Sequence, residues 1–159
     1  MNLAGERAAI AQMLAAHQTL TLATSQDGQP WAATVFYASD PGFNLYFVSD
    51  HRTRHARDMA ANPRVALAIG ADAGHWHEVR GLQVEGEAAC LAGPGREQAL
   101  ELFLGKFADV KALFATPESA DEQIIAGRLR HAPFWRITPR FIRLIDNARG
   151  FGNKLELRL

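Results

Sequence analysis

Strand-like runs and turn signals between Leu20 and Ile69 constrain the fold of this chain most strongly. Thr19 to Ser25 alternates apolar residues with polar or small ones, and the turn dipeptide Asp27-Gly28 follows it. Trp31 to Tyr37 is rich in aromatic and β-branched residues, and Phe43 to Ser49 is a further apolar run. This pattern predicts a barrel sheet.

A short helix with a basic start is predicted directly after these runs. It opens within the segment Asp50 to Arg57 and ends at Asn62-Pro63. Free N–H groups and a partial positive charge at a helix N-terminus favour a phosphate, to which Thr53 can donate a hydroxyl and Arg54 two N–H groups. His55 adds a donor, or a charge when protonated. The alternative is a solvated helix face on which neighbouring aspartates pair with the arginines.

The rest of the chain adds helices and closing strands. Glu6 to His17 has apolar residues at helical spacing and is expected to cover the barrel. Gly93-Pro94-Gly95 introduces a long helical pattern with one apolar face from Leu100 to Phe114, and Pro117 ends it. The other predicted elements are a helix over Glu118 to Arg130 with Ile124, Ile125 and Leu129 inward, and strands over Arg80 to Leu91, Phe134 to Thr138, Phe141 to Asp146 and Lys154 to Leu159.

Composition is that of one soluble domain spanning residues 1–159, with 48% hydrophobic residues. Seventeen basic residues balance seventeen acidic ones, so no global charge attracts nucleic acid or an anionic membrane. No apolar run reaches the roughly 20 residues of a membrane helix, and the N-terminus lacks signal-peptide features. The single cysteine, Cys90, excludes an intrachain disulfide and is expected to be buried or half-buried. We therefore expect a cytoplasmic protein.

The phosphate segment resembles that of the flavin-binding split barrels in the pyridoxamine 5'-phosphate oxidase-like superfamily. Ser49 ends a strand, Thr53-Arg54-His55 stands where the family has a hydroxyl-Arg-Lys triplet, and Asn62-Pro63-Arg64 closes the helix. The segments 80–87 and 132–152 resemble a narrower group of small bacterial members. The resemblance implies an FMN-binding split barrel, mainly β with helices (α+β).

The same resemblance implies a homodimer with FMN at the subunit interface. Main-chain groups of Thr34, Val35 and Phe36 are expected at the pyrimidine edge of the flavin, and Ser49, Thr53, Arg54 and His55 at its phosphate. The residues implied for a second wall, contributed by the partner subunit, are Arg80, Gln83 and Trp135. Trp135 is equally consistent with a buried position in the core.

The resemblance further implies an FMN-dependent oxidoreductase acting on an unidentified small molecule. Ala33 and Ala38 replace an Arg and a Lys of the true oxidases, and Arg136-Ile137-Thr138 replaces their Arg-Leu-His element. These differences argue against oxidation of pyridoxamine phosphate itself. Two alternatives stay open: a non-catalytic flavin-binding module, and a haem-binding protein.

Other candidate groups have weaker patterns. His75 and His77 have no third metal ligand nearby in sequence, so no metal site is expected and a loop or pocket rim is the preferred position. Under the haem alternative, His17, His75 or His77 would supply the axial ligand. Gly150-Phe151-Gly152 predicts a turn that presents Phe151 outward, where it could cover the mouth of the flavin or substrate site.

Overall fold

The computed structural model describes residues 2–159, which contain five α-helices and eight strands. The helices are α1 (Leu3–Ala16), α2 (Arg54–Ala61), α3 (Gly93–Lys106), α4 (Ala108–Ala115) and α5 (Ala120–His131). The strands are β1 (Thr19–Gln26), β2 (Gln29–Phe36), β3 (Ala38–Ser39), β4 (Leu45–Val48), β5 (Arg64–Gly70), β6 (Arg80–Leu91), β7 (Phe134–Asp146) and β8 (Lys154–Arg158). Two short 3₁₀ turns occupy Trp76–Glu78 and Asn147–Arg149.

All eight strands belong to one antiparallel sheet. Its order is β2-β1-β5-β6-β7-β4-β3, and β8 pairs with the second half of β7. Only Tyr37 separates β2 from β3, so the two ends of this order are neighbours in the chain and the sheet curls into a half-barrel. The mainly-β split barrel expected from the sequence is confirmed.

Alternating side chains of the strands fill the interior of the half-barrel. Leu20 and Leu22 of β1 are buried there, and Ile10, Met13 and Leu14 of α1 join the same cluster. Helix α1 therefore covers the barrel as predicted. It begins three residues earlier than the sequence pattern suggested because Asn2 caps it, accepting the N–H of Gly5 at 2.9 Å.

A helical layer inserted between β6 and β7 covers the other side of β3, β4 and β7. Its core includes Leu100, Phe103 and Leu129, packed with Phe134 of β7. The single long helical pattern predicted from Leu100 to Phe114 divides into α3 and α4, because Phe107 has non-helical dihedral angles (φ −111°, ψ 83°). At this division the ring of Phe107 contacts Phe36 at the end of β2, with ring centroids 5.7 Å apart.

Three further expectations differ from the structure. The two strands predicted on either side of Pro139 are one strand, β7, with a register shift opposite Gly86 that accommodates this proline without an N–H donor. Cys90 is exposed rather than buried, because the buried face of β6 ends at Ala88. Ile124 and Ile125, predicted to face inward, are 58% and 42% exposed, whereas Leu129 is buried.

Among residues 2–159, no helix combines the length and the apolar character needed to cross a membrane.

Candidate functional site

A cleft of about 620 Å³ lies between the end of β2, the junction of β4 with α2, and the helical layer. Its walls are mostly apolar side chains of α3, α4 and α5, together with residues 34–36 of β2. One end is polar and contains Ser49, Thr53 and His55. Six of the ten residues predicted for cofactor binding therefore line one cavity within a single chain.

The polar end is organised by the start of α2. Thr53 is the N-cap residue: its hydroxyl accepts the N–H of Ala56 at 3.3 Å and donates to the carbonyl of Asp50 at 2.9 Å. Ser49, which is 8% exposed, places its Oγ atom 2.7 Å from Nε2 of His55. Two hydroxyls and one imidazole are thus held together beside the first turn of the helix.

The charges around this end depend on burial and on nearby ions. Burial lowers the pKa of His55 below its ordinary value of 6.5, and the negative charge of Asp58 partly opposes that shift, so His55 is neutral at pH 7. Hydrogen bonds from Arg52 hold the pKa of Asp50 well below its usual range, and the charge of Arg128 lowers it further. Asp50 therefore stays ionised, with both carboxylate oxygens taken by Arg52.

The strand wall of the cleft consists of the last residues of β2. Within the described chain this strand is the edge of the sheet and pairs only with β1, so one side of its backbone is not used by strand pairing. The side chain of Phe36 is 59% exposed and contacts Phe107 edge-on, with ring centroids 5.7 Å apart. Such a wall offers aromatic surface and free main-chain groups to a flat ligand.

Arg54 lies outside the cleft. Its Cζ atom is 4.2 Å from the centroid of the Trp31 ring, and it borders a separate surface depression with Arg57 and Asp58. This cation–π contact fixes the guanidinium on the outer side of α2.

The three residues proposed for a second wall are also away from the cleft of their own chain. Arg80 pairs with Asp146 at 3.4 Å, and Gln83 accepts a hydrogen bond from Arg143 at 3.4 Å. Trp135 is 3% exposed in the barrel core and donates Nε1–H to the carbonyl of Ser49 at 3.2 Å. Trp135 thus has the buried core position that the sequence also allowed. Its hydrogen bond supports Ser49 at the polar end of the cleft.

Sequence reasoning missed the helical residues of the cleft, among them Arg128, Ile125 and Asp109. Ile125, Arg128 and Ala132 share one face of α5 at helical spacing, which could have suggested a common surface. Nothing in the sequence indicated that this surface faces the end of β4.

The remaining candidate histidines lie elsewhere. The rings of His75 and His77 stack with centroids 5.4 Å apart around the 3₁₀ turn, and neither these nor His17 lines the cleft. Across residues 2–159, no group of three His, Cys, Asp or Glu residues is placed to hold a metal ion. Phe151 is 82% exposed on its turn and packs edge-on against Trp76 at 5.8 Å.

The sequence and the fold are similar to those of known proteins. Residues 7–136 match the family model described as pyridoxamine 5'-phosphate oxidase. The UPF0306 protein YhbP of Salmonella paratyphi B is 30% identical over 149 residues, which cover 93% of this chain and 90% of the relative.

Solved structures of other bacterial proteins share the fold. A haem-binding protein from Mycobacterium smegmatis matches with a TM-score of 0.70 and 22% identity, over 99% of this chain and 59% of that one. General Stress Protein 26 from Bacillus anthracis matches with a TM-score of 0.64 and 19% identity, over 96% of this chain and 98% of that one.

Proposed function

Because the chain belongs to the pyridoxamine 5'-phosphate oxidase family, we propose that it binds FMN non-covalently in the cleft beside β2 and α2. One observation carries the proposal: a mostly apolar cavity of about 620 Å³ ends at the clustered Ser49, Thr53 and His55. FMN has the matching chemistry, a flat apolar ring system joined through a chain to a phosphate.

The residues present fit this cofactor in size and polarity. Small-molecule sites have volumes of roughly 300–1,000 Å³ and combine apolar walls with a few placed polar groups. Phe36 and Phe107 supply aromatic surface for the ring system. The hydroxyl of Ser49 and the N–H groups at the start of α2 suit a phosphate, and the hydroxyl of Thr53 caps that helix.

The chain itself would contribute orientation, exclusion of water and hydrogen-bond donors. Free N–H groups along Thr34 to Phe36 would contact the polar edge of the ring and stabilise negative charge there. Ile125 and Leu129 would keep water from the opposite wall. FMN supplies hydride or electron transfer when bound.

We further propose that the protein is an oxidoreductase for a small molecule and acts as a homodimer, in which Arg80 and Gln83 of one subunit approach the flavin of the other. Trp135, which the resemblance also assigned to this second wall, is buried in the core of its own chain and supports Ser49 instead. Pyridoxamine phosphate is not proposed as the substrate. Reduction of the bound flavin by NADH or NADPH, followed by stopped-flow absorbance, would support an enzyme. Absence of reduction by either donor would favour a flavin-binding module.

The cofactor assignment is tested with purified protein by absorbance and by titration with FMN, riboflavin and haemin. We expect the two-band flavin spectrum and tighter binding of FMN than of riboflavin, because the polar end would contact the phosphate, which riboflavin lacks. A Soret band without FMN binding would contradict the proposal in favour of haem. Within the cleft His55 would be the axial ligand available to haem, and its Nε2 is already bonded to Ser49.

A further inference from the structure

Arg128 places a guanidinium without an ionic partner in the cleft. Among residues 2–159, no carboxylate oxygen lies within 4.0 Å of its side-chain nitrogens. The nearby carboxylate of Asp50 is occupied by two hydrogen bonds from Arg52, at 2.9 and 3.0 Å. The donors of Arg128 are therefore available to a ligand.

The fold brings Arg128 near the polar end of the cleft. The N–H of Ser49 donates to the carbonyl of Pro133 at 3.2 Å, which holds the end of α5 against the end of β4. Arg128 stands one helical turn before Ala132, and both line the cleft. The lowering of the pKa of Asp50 by the charge of Arg128 agrees with this position.

The end of α5 is itself held in place. The guanidinium of Arg96 donates to the carbonyl of Leu129 at 2.6 Å and to that of Ala132 at 2.8 Å. These bonds satisfy carbonyl groups that the helix leaves free at its C-terminus. A backbone anchored in this way gives the side chain of Arg128 a fixed origin.

We propose that Arg128 binds the phosphate of FMN, in the role that the sequence pattern gave to Arg54. This inference rests on the proposed function and names a residue of that same site. A planar guanidinium can donate two parallel N–H bonds to a phosphate. The positive charge that pairs with the phosphate has to come from outside α2. On α2 itself, His55 is neutral at pH 7 because burial lowers its pKa, and Arg54 is stacked on Trp31.

The test compares Arg128→Gln with Arg54→Gln by calorimetric titration of each apoprotein with FMN and with riboflavin. Both side chains are exposed, so neither change removes core packing. We expect Arg128→Gln to weaken FMN binding about tenfold or more, since a charge-assisted contact is lost. Arg54→Gln should change it less than about twofold, and neither variant should alter riboflavin binding.

A third variant, Arg128→Lys, separates charge from shape. It keeps the positive charge and loses the planar pair of donors, so its FMN affinity should lie between those of the wild type and Arg128→Gln. Unchanged FMN binding by Arg128→Gln would overturn the role of Arg128 and leave the proposed FMN site standing. Absence of FMN binding by the wild-type protein would overturn the proposed function together with this inference. An equal loss of riboflavin binding would show that Arg128 supports the cleft and not the phosphate.

Discussion

The Oγ atom of Ser49 lies 2.7 Å from Nε2 of His55, so a buried hydroxyl and a neutral imidazole satisfy each other at the end of the cleft. A phosphate bound beside this pair would favour the protonated form of His55. The imidazolium carries a positive charge and donates from both ring nitrogens, whereas the neutral ring donates from one. If a phosphate binds there as proposed, the protonation state of His55 is linked to occupancy of the site.

We expect the affinity for FMN to rise as the pH falls from 8 to 6. Burial lowers the pKa of His55 in the free protein, whereas a bound phosphate favours the charged ring and raises that pKa. Binding then takes up a proton, and a reaction that takes up protons is favoured at lower pH. Calorimetric titrations at several pH values measure the slope.

His55→Lys is the matched control, because lysine keeps its charge through this pH range. The phosphate of FMN titrates near pH 6 and affects both proteins alike, so the difference between their profiles isolates His55. Parallel profiles for the wild type and His55→Lys would show that His55 does not take up the proton.

The local part of the site is predictable from the sequence. Ser49, Thr53 and His55 are close neighbours in the chain, and the N-cap preference of threonine fixes where α2 begins. The position of Arg54 was harder to predict, since consecutive helical residues point about 100° apart and its neighbours alone do not decide which direction faces a cleft. The aromatic ring of Trp31, on another element, decides it.

The distant part of the site is a tertiary property. Arg128 reaches the polar end only because α5 docks against β4, and helix periodicity gives the face of a helix without naming its partner. The break at Phe107 has a similar origin. The spacing of apolar residues from Leu100 to Phe114 suits one long helix. In the structure, Phe107 packs against Phe36 and Phe103 at the point where α3 ends and α4 begins.

Gly86→Ala is expected to destabilise the sheet by about 1–3 kcal/mol, because overpacking forces the backbone to move. An added Cβ would lie 2.7 Å from the carbonyl oxygen of Thr138 and 2.9 Å from Cγ2 of Ile137. The contrasting variant is Gly127→Ala within α5, where the new Cβ meets no atom within 4 Å and helix propensity favours alanine by up to about 1 kcal/mol. Urea denaturation should move the two midpoints in opposite directions, and a shared direction would refute this account.

Lys106 should make stability depend on pH in the alkaline range. Its Nζ atom donates to the carbonyl of His17 at 2.6 Å, and desolvation lowers its pKa to about 8. Between pH 8 and the ordinary lysine pKa of 10.5, the unfolded chain holds a proton that the folded chain has released. The free energy of unfolding of the wild type should therefore rise with pH relative to that of Lys106→Met.

Urea denaturation of both proteins at pH 7.5 and pH 10 measures this difference, and all other titrating groups are common to the two chains. A difference that stays constant between the two pH values would mean that the pKa of Lys106 is the same in the folded and unfolded states.

FMN binding is expected to require two copies of the chain. In one chain the cleft is open at Phe36, whose side chain is 59% exposed, while Arg80 and Gln83 lie on another surface. A symmetric dimer would bring the second surface of each subunit to the cleft of the other and form two equivalent sites. His55→Ala should weaken FMN binding at the polar end of the cleft, and Gln83→Ala should weaken it at the second wall.

Co-expression of these two variants with different affinity tags tests whether the site is shared. A heterodimer of His55→Ala with Gln83→Ala contains one site with both defects and one site with neither, so titration should recover one tight site per dimer. Gln83 suits this experiment because its side chain is exposed. Replacing the buried Trp135 would instead remove the hydrogen bond from Trp135 to Ser49 and disturb the polar end of the same chain. If Gln83 and His55 act on one site within a single chain, every site in the heterodimer carries a defect and no tight binding returns.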